Sequence, residues 1–224
     1  MLNYNQHVMN KRQQLLNDNQ QRKSQAQGSS GKRVPKESVH QGPGNFLVPH
    51  QELFRRSSLV LIAVLGRNFS NKFHVRELAR SVHYDVSIIS KNLKKLEELG
   101  LVTHDDVGNL VLYQANMGSV LFRHMKIFLT LLELTGLIRD LNQVTTNFIL
   151  YGSCAKGEDT HESDIDLFIE TMDKEAVRTI LARHRREMTR ELSPIIHTPD
   201  ETYKLKAEDS TLYNNIQQGI ILKG

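Results

Sequence analysis

The sequence predicts an α+β protein of two units: three helices with a two-stranded hairpin, then a helical linker to a small mixed sheet with helices. Three observations carry this expectation. Apolar residues recur at helical spacing three times between positions 53 and 99, the period turns strand-like over 101–113, and two further strand-like runs flank "GSCAKGEDTHES". A chain of 224 residues can support two small cores.

Composition narrows the function classes. No run approaches 18 apolar residues: "LVLIAVL" (Leu59 to Leu65) is too short, and the stretch Val120 to Leu134 carries Arg123, His124, Lys126 and Glu133. With no order of charged, apolar and small residues at its start, the chain is expected to be soluble and cytoplasmic, with no membrane partner. A single cysteine, Cys154, excludes an intrachain disulfide and a Cys-rich zinc site, and reads as a small residue filling a turn.

Charge falls along the chain. In residues 1–44 seven Lys/Arg against two Asp/Glu give +5; in 45–116 nine against seven give +2; in 117–224 thirteen against sixteen give −3. Residues 1–44, rich in Gln, Asn, Ser and Gly, read as a disordered basic tail ending at "QGPG", either a solubilising extension or a nucleic-acid arm.

Residues 45–116 form the first unit. Leu53 to Leu65 is apolar enough for a buried helix; "HVRELARSV" sets Val75, Leu78, Ala79 and Val82 on one side; "VSIISKNLKKLEELG" sets Ile89, Leu93 and Leu96 on one stripe, with Gly100 as the stop. Only "HYD" separates the second helix from the third, which makes a helix-turn-helix. "LVTH" and "LVLY" then flank "DDVGN" as a hairpin, completing the winged-helix arrangement. Residues 50–116 resemble the bacterial and archaeal winged-helix regulators. The resemblance makes the third helix the recognition helix, with Ser87, Ser90, Lys91, Asn92 and Lys94 turned outward toward DNA and Asn92 as the strong base reader.

Residues 117–141 read as one long helix or two, with Leu121, Met125, Phe128 or Leu129, and Leu132 on one side and a break at Gly136. So apolar a helix needs a partner, either between the two units or in a second copy as a homodimer.

The last unit, residues 142–224, holds the candidate chemistry. "TTNFILY" (Thr145 to Tyr151) reads as a buried strand stopped by Gly152, and "DIDLFIE" (Asp164 to Glu170) as a second. On a strand, Asp164 and Asp166 share a face while Ile165 and Leu167 turn to the core. Paired carboxylates repel unless a cation lies between them, and few oxygen ligands suit Mg2+ (or Mn2+) completed by waters and phosphates. A helix starting at Ser153 would aim backbone N–H groups at an anion, with Gly152 permitting close approach and Lys156 adding charge.

The spacing Gly152-Ser153, ten residues, Asp164-Ile165-Asp166 resembles the signature of the DNA polymerase beta nucleotidyltransferase superfamily. More narrowly, "LYGSCAKGEDTHESDIDLFI" is similar to the minimal nucleotidyltransferases of bacteria and archaea. The resemblance covers residues 140–224. It implies a mixed sheet in which Ser153 contacts the triphosphate of an NTP (ATP the first choice), Asp164 and Asp166 bind two metals, and a third carboxylate on a later strand activates the attacking hydroxyl. It also suggests a protein acceptor such as a partner toxin.

The third position departs from that pattern. The helix "DKEAVRTILARHRREM" leads into "ELSPIIHT" (Glu191 to Thr198), an edge or starting strand by its Pro194. Ser193 stands near the expected place, with Glu191 the only nearby carboxylate. Either Glu191 substitutes, or the unit transfers slowly or merely binds nucleotide. Arg178, Arg183, Arg185, Arg186 and Arg190 read as a solvated helix face, His184 as a partly buried histidine on the apolar side, and His161 as a loop residue. Two functions lead, an NTP-dependent transferase localised by a DNA-binding unit and a DNA-binding regulator whose weak transferase domain senses nucleotide, and a third is a structural adaptor whose long apolar helix recruits another protein.

Overall fold

The structure, a computed structural model, describes Gln51 and residues 53–223, so the expected basic tail lies outside the described residues. Its first unit opens with α1 (Arg56–Arg67), β1 (Phe73–His74), α2 (Val75–Ser81) and α3 (Val86–Glu98). Local chemistry sets the start of α3: the Asp85 carboxylate accepts from the Ser87 N–H at 2.8 Å and the Ser87 hydroxyl at 2.6 Å. Gly100 has φ 68°, the left-handed residue after the helix that the sequence predicts. Leu61, Ile62 and Leu65 of α1, Leu78 and Ala79 of α2, and Ile89, Leu93 and Leu96 of α3 close a common core.

The hairpin follows as β2 (Val102–Val107) and β3 (Leu110–Ala115). Asp105, Asp106 and Val107, expected in the turn, belong to β2, because the left-handed Gly108 (φ 60°) reverses the chain with Asn109 alone. The unanticipated β1 pairs with the other edge of β3, giving the order β1-β3-β2. Only two residues long, it shows no alternation to read.

Asn92 corrects the expectation for the recognition helix. It is buried, and its amide donates to the Ser57 hydroxyl of α1 at 2.7 Å. Three positions after Ile89, it falls on the inward stripe, where a polar residue holds its place only by being paired. Asn92→Ala is expected to destabilise the protein by about 1–3 kcal/mol by orphaning that hydroxyl. Urea unfolding reads this loss, and an unchanged midpoint would refute the assigned role.

α4 (Val120–Leu141) is one continuous helix of 22 residues. Its N-terminal half gives Phe122 and Met125 to the first core, and its C-terminal half gives Leu134, Leu137 and Leu141 to a second. The face turned to the cores matches the expected one only in part: Met125 is buried and Leu129 packs partly buried against the first core, whereas Leu121, Phe128 and Leu132 are exposed. Gly136 does not break the helix. A Cβ there would lie 3.3 Å from the His184 ring, so the glycine makes room for His184.

The second unit comprises β4 (Asn147–Leu150), α5 (Gly152–Lys156), β5 (Ile165–Glu170), α6 (Lys174–His184), β6 (Leu192–His197), α7 (Pro199–Glu208), α8 (Ser210–Gln217) and β7 (Ile220–Lys223). The strand order is β6-β5-β4-β7, with β5 and β6 parallel across α6 and the other pairs antiparallel. Pro194 lies on the edge strand β6, where the missing N–H leaves no gap in the sheet interior. Central β5 is covered on both faces: Ile165, Leu167 and Ile169 meet the core that includes α4 and α6, and Phe168 meets Ile149, Tyr151 and Ile216. Among the described residues no helix is long and apolar enough to cross a membrane.

Candidate active site

The site forms where β4 passes into α5 beside the start of β5. Tyr151 N–H donates to the Asp166 carbonyl at 3.1 Å, and the chain then turns at Gly152 with φ 70°. A Cβ at Gly152 would lie 2.1 Å from Asp166 Oδ2. The Asp166 carboxylate therefore rests directly on the Gly-Ser turn, an approach open only to glycine. The Tyr151 side chain, at the N-cap, makes no hydrogen bond to the first turn of α5.

Asp164 is exposed and immediately precedes β5, which begins one residue later than the sequence suggests. Burial, and then the Asp164 charge, push the Asp166 carboxyl above its ordinary range. Burial and the Asp166 charge likewise raise the Tyr151 phenol. Lys156, in the last turn of α5, is exposed, as is His161 in the following loop.

Across the parallel pair, Asp166 stands in register with Ser193, so Ser193 occupies the strand position beside Asp166. Glu191 lies just before β6, exposed, its carbonyl accepting the Ile165 N–H at 2.9 Å. Among the described residues no three His, Cys, Asp or Glu side chains gather as a cation cluster. The structure thus leaves Glu191 outside any such group with Asp164 and Asp166, because the residue precedes the edge strand and faces solvent. Asp166 against the glycine turn and Asp164 two residues before it are the carboxylates that could hold one Mg2+, which would draw its remaining ligands from water and phosphate.

The sequence reading missed a buried ionic cluster behind the site. Arg190, expected on a solvated face, has a side chain only 3% exposed and bonds Asp159 and Glu133; Lys126 bonds Asp159 as well. Glu133 also receives Arg67, from the last turn of α1, at 2.9 Å. The available signal was Lys126 and Glu133, two charges within an apolar helix that burial would force to find partners. His184 does lie partly buried, its Nε2 2.9 Å from Asp140 Oδ2.

In the first unit Ser87, Lys91 and Lys94 are exposed and Ser90 is half-buried, while Asn92 is withdrawn. The hairpin beside them is acidic and apolar: Asp105 pairs with Lys72 at 2.7 Å, and Val107 and Leu110 are exposed at the tip.

Residues 136–224 match the family model "Polymerase beta, Nucleotidyltransferase". The matched nucleotidyltransferase segment runs from the C-terminal third of α4 through β7 and contains Gly152, Ser153, Asp164 and Asp166. Among solved structures, the antimony-specific transcriptional repressor AntR is similar at 22% identity over 49% of this chain and 99% of its own, with TM-score 0.35. NolR from Sinorhizobium fredii is similar at 21% identity over 48% of this chain and 98% of its own (TM-score 0.33), and the transcriptional repressor BigR from Xylella fastidiosa at 18% over 39% and 83% (TM-score 0.33). No curated protein matches the sequence.

Proposed function

We propose that the C-terminal unit binds an NTP, ATP first among them, with Mg2+ or Mn2+, and transfers its nucleoside monophosphate to a hydroxyl of a protein or nucleic acid. The observation that carries this reading is the seating of the Asp166 carboxylate against the Gly152 backbone, with Asp164 beside it. Asp164 and Asp166 would hold the divalent cation, which when bound neutralises charge on the phosphate oxygens. The chain's own work is positioning: Gly152 lets phosphate approach the backbone, Ser153 offers N–H and hydroxyl donors, and Lys156 adds a positive charge. A protein acceptor such as a partner toxin is the acceptor class the resemblance favours.

The winged-helix unit would localise this chemistry on DNA through Ser87, Ser90, Lys91 and Lys94. With Asn92 buried, this surface supports phosphate contact better than base reading. A homodimer would present it twice. A second reading, a DNA-binding regulator that senses nucleotide with little transfer, draws support from Ser193 in register with Asp166, because a serine hydroxyl is no general base at neutral pH.

Label transfer from α-phosphate-labelled ATP in Mg2+ or Mn2+ to cell extract separates the two readings. Label on a protein or RNA band that Asp164→Ala/Asp166→Ala abolishes supports the transferase. Bound nucleotide without transfer supports the sensor.

A further inference from the structure

Three chain segments must meet for the site to exist: the Gly152-Ser153 turn, the end of the loop at Asp164, and the entry to β6 at Glu191 and Ser193. One buried guanidinium, on the residue before Glu191, bonds Cys154 beside the turn and Asp159 in the loop. Arg190 directly precedes Glu191; its Nη1 donates to Asp159 Oδ2 of the loop at 3.1 Å and to Cys154 Sγ of α5 at 3.3 Å. Its Nη2 donates to Glu133 Oε2 at 2.7 Å and Thr130 Oγ1 at 3.1 Å, both on α4. Cys154, two residues from Gly152, donates its thiol to the Asp164 carbonyl at 3.4 Å. That thiol is fully buried.

The loop is fixed from its other side as well. Lys126 Nζ donates to the Asp159 carbonyl at 2.6 Å and lies 5.0 Å from the centre of the Phe69 ring. Among the described residues the buried Arg190 Nε has no hydrogen-bond partner, and the buried Asp159 Oδ1 has only the ion pair with Lys126 Nζ at 3.4 Å. Hydrophobic residues of similar volume would avoid such desolvation, so stability alone is a poor reason for the cluster. Orientation is a better one, since a planar fork fixes several partners at once.

We propose that Arg190, acting through Cys154 and Asp159, is the positioning residue that holds Asp164 and the Gly152-Ser153 turn in the geometry that takes a Mg2+-bound nucleoside triphosphate. This rests on the nucleotide-site reading above. Arg190 touches no substrate; it sets the backbone from which Asp164 projects. A residue that acts only as a structural staple would change melting and leave affinity in the folded protein unchanged.

The test is calorimetric titration of the full chain with ATP, with and without Mg2+, below the melting temperature of each variant as fixed by circular dichroism. Arg190→Lys keeps the charge but cannot hold four partners, and Cys154→Ala leaves the Arg190–Asp159 pair while cutting the link to Asp164. Both are expected to weaken Mg2+-ATP binding about 10–100-fold, Arg190→Lys the more, with the metal-dependent part of the affinity falling most. Should Arg190→Lys fail to fold, Cys154→Ala carries the test. Native affinity in the folded variants would overturn the proposal and leave Arg190 a staple. Absence of Mg2+-ATP binding by the native chain would instead overturn the functional reading, and the inference with it.

Discussion

Asp166→Asn is expected to abolish Mg2+-dependent nucleotide binding while leaving the fold as stable as before or more so. Burial, and then the charge of Asp164, hold the Asp166 carboxyl above its ordinary value of 3.8. A folded-state pKa above the unfolded one means that ionisation opposes folding: the favourable contribution is complete below 3.8 and is lost as pH rises through the folded value. An asparagine of the same shape carries no charge to lose, so its advantage over the native chain should be nil in acid and grow toward neutral pH. Binding runs the other way, because the amide offers the cation one neutral oxygen in place of a carboxylate. Urea unfolding at acid and neutral pH, paired with titration by Mg2+-ATP, reads both effects. A large loss of stability with binding intact would refute the metal-ligand assignment.

This opposition between stability and binding explains which parts of the molecule were legible beforehand. The helices of the first unit, the hairpin, α6 and β6 carry a pattern that one sequence displays, and β4 and β5, buried on both faces, show as short apolar runs. Asp164, Asp166, Gly152 and Ser153 were legible because their chemistry is close in sequence. Arg190 and Asp159 were not, because their partners lie 31 to 60 residues away and a charged residue in sequence gives no sign of burial. Asn92 failed for a related reason. An asparagine amide suits contact with a base, but the position after Ile89 turns this one inward, and Ser57, the residue that makes burial tolerable, is 35 positions away. Strand β1 is too short to show alternation, and the places of β1 and β7 depend on edges offered by β3 and β4.

Alanine at the two glycines flanking α5 should separate fold from site. Both glycines have positive φ, 70° at Gly152 and 67° at Gly157, so each alanine carries about 1–2 kcal/mol of left-handed strain. What the new methyl group meets then differs. At Gly157 it would lie 2.4 Å from the Arg123 carbonyl oxygen and 3.1 Å from its Cα, which are backbone atoms in α4. A helix shared by two cores yields little, so the α5 loop must move, adding about 1–3 kcal/mol. At Gly152 the methyl group meets Asp166 Oδ2 at 2.1 Å, the end of a side chain that can swing away. Gly157→Ala should therefore cost more stability, whereas Gly152→Ala should keep most of it and lose Mg2+-ATP binding, since the displaced carboxylate no longer faces the turn. Thermal melts and titrations of the two variants give the ranking. If Gly152→Ala bound Mg2+-ATP like the native chain, the contact between Gly152 and Asp166 would be a packing detail, and the nucleotide would have to be sought on another surface.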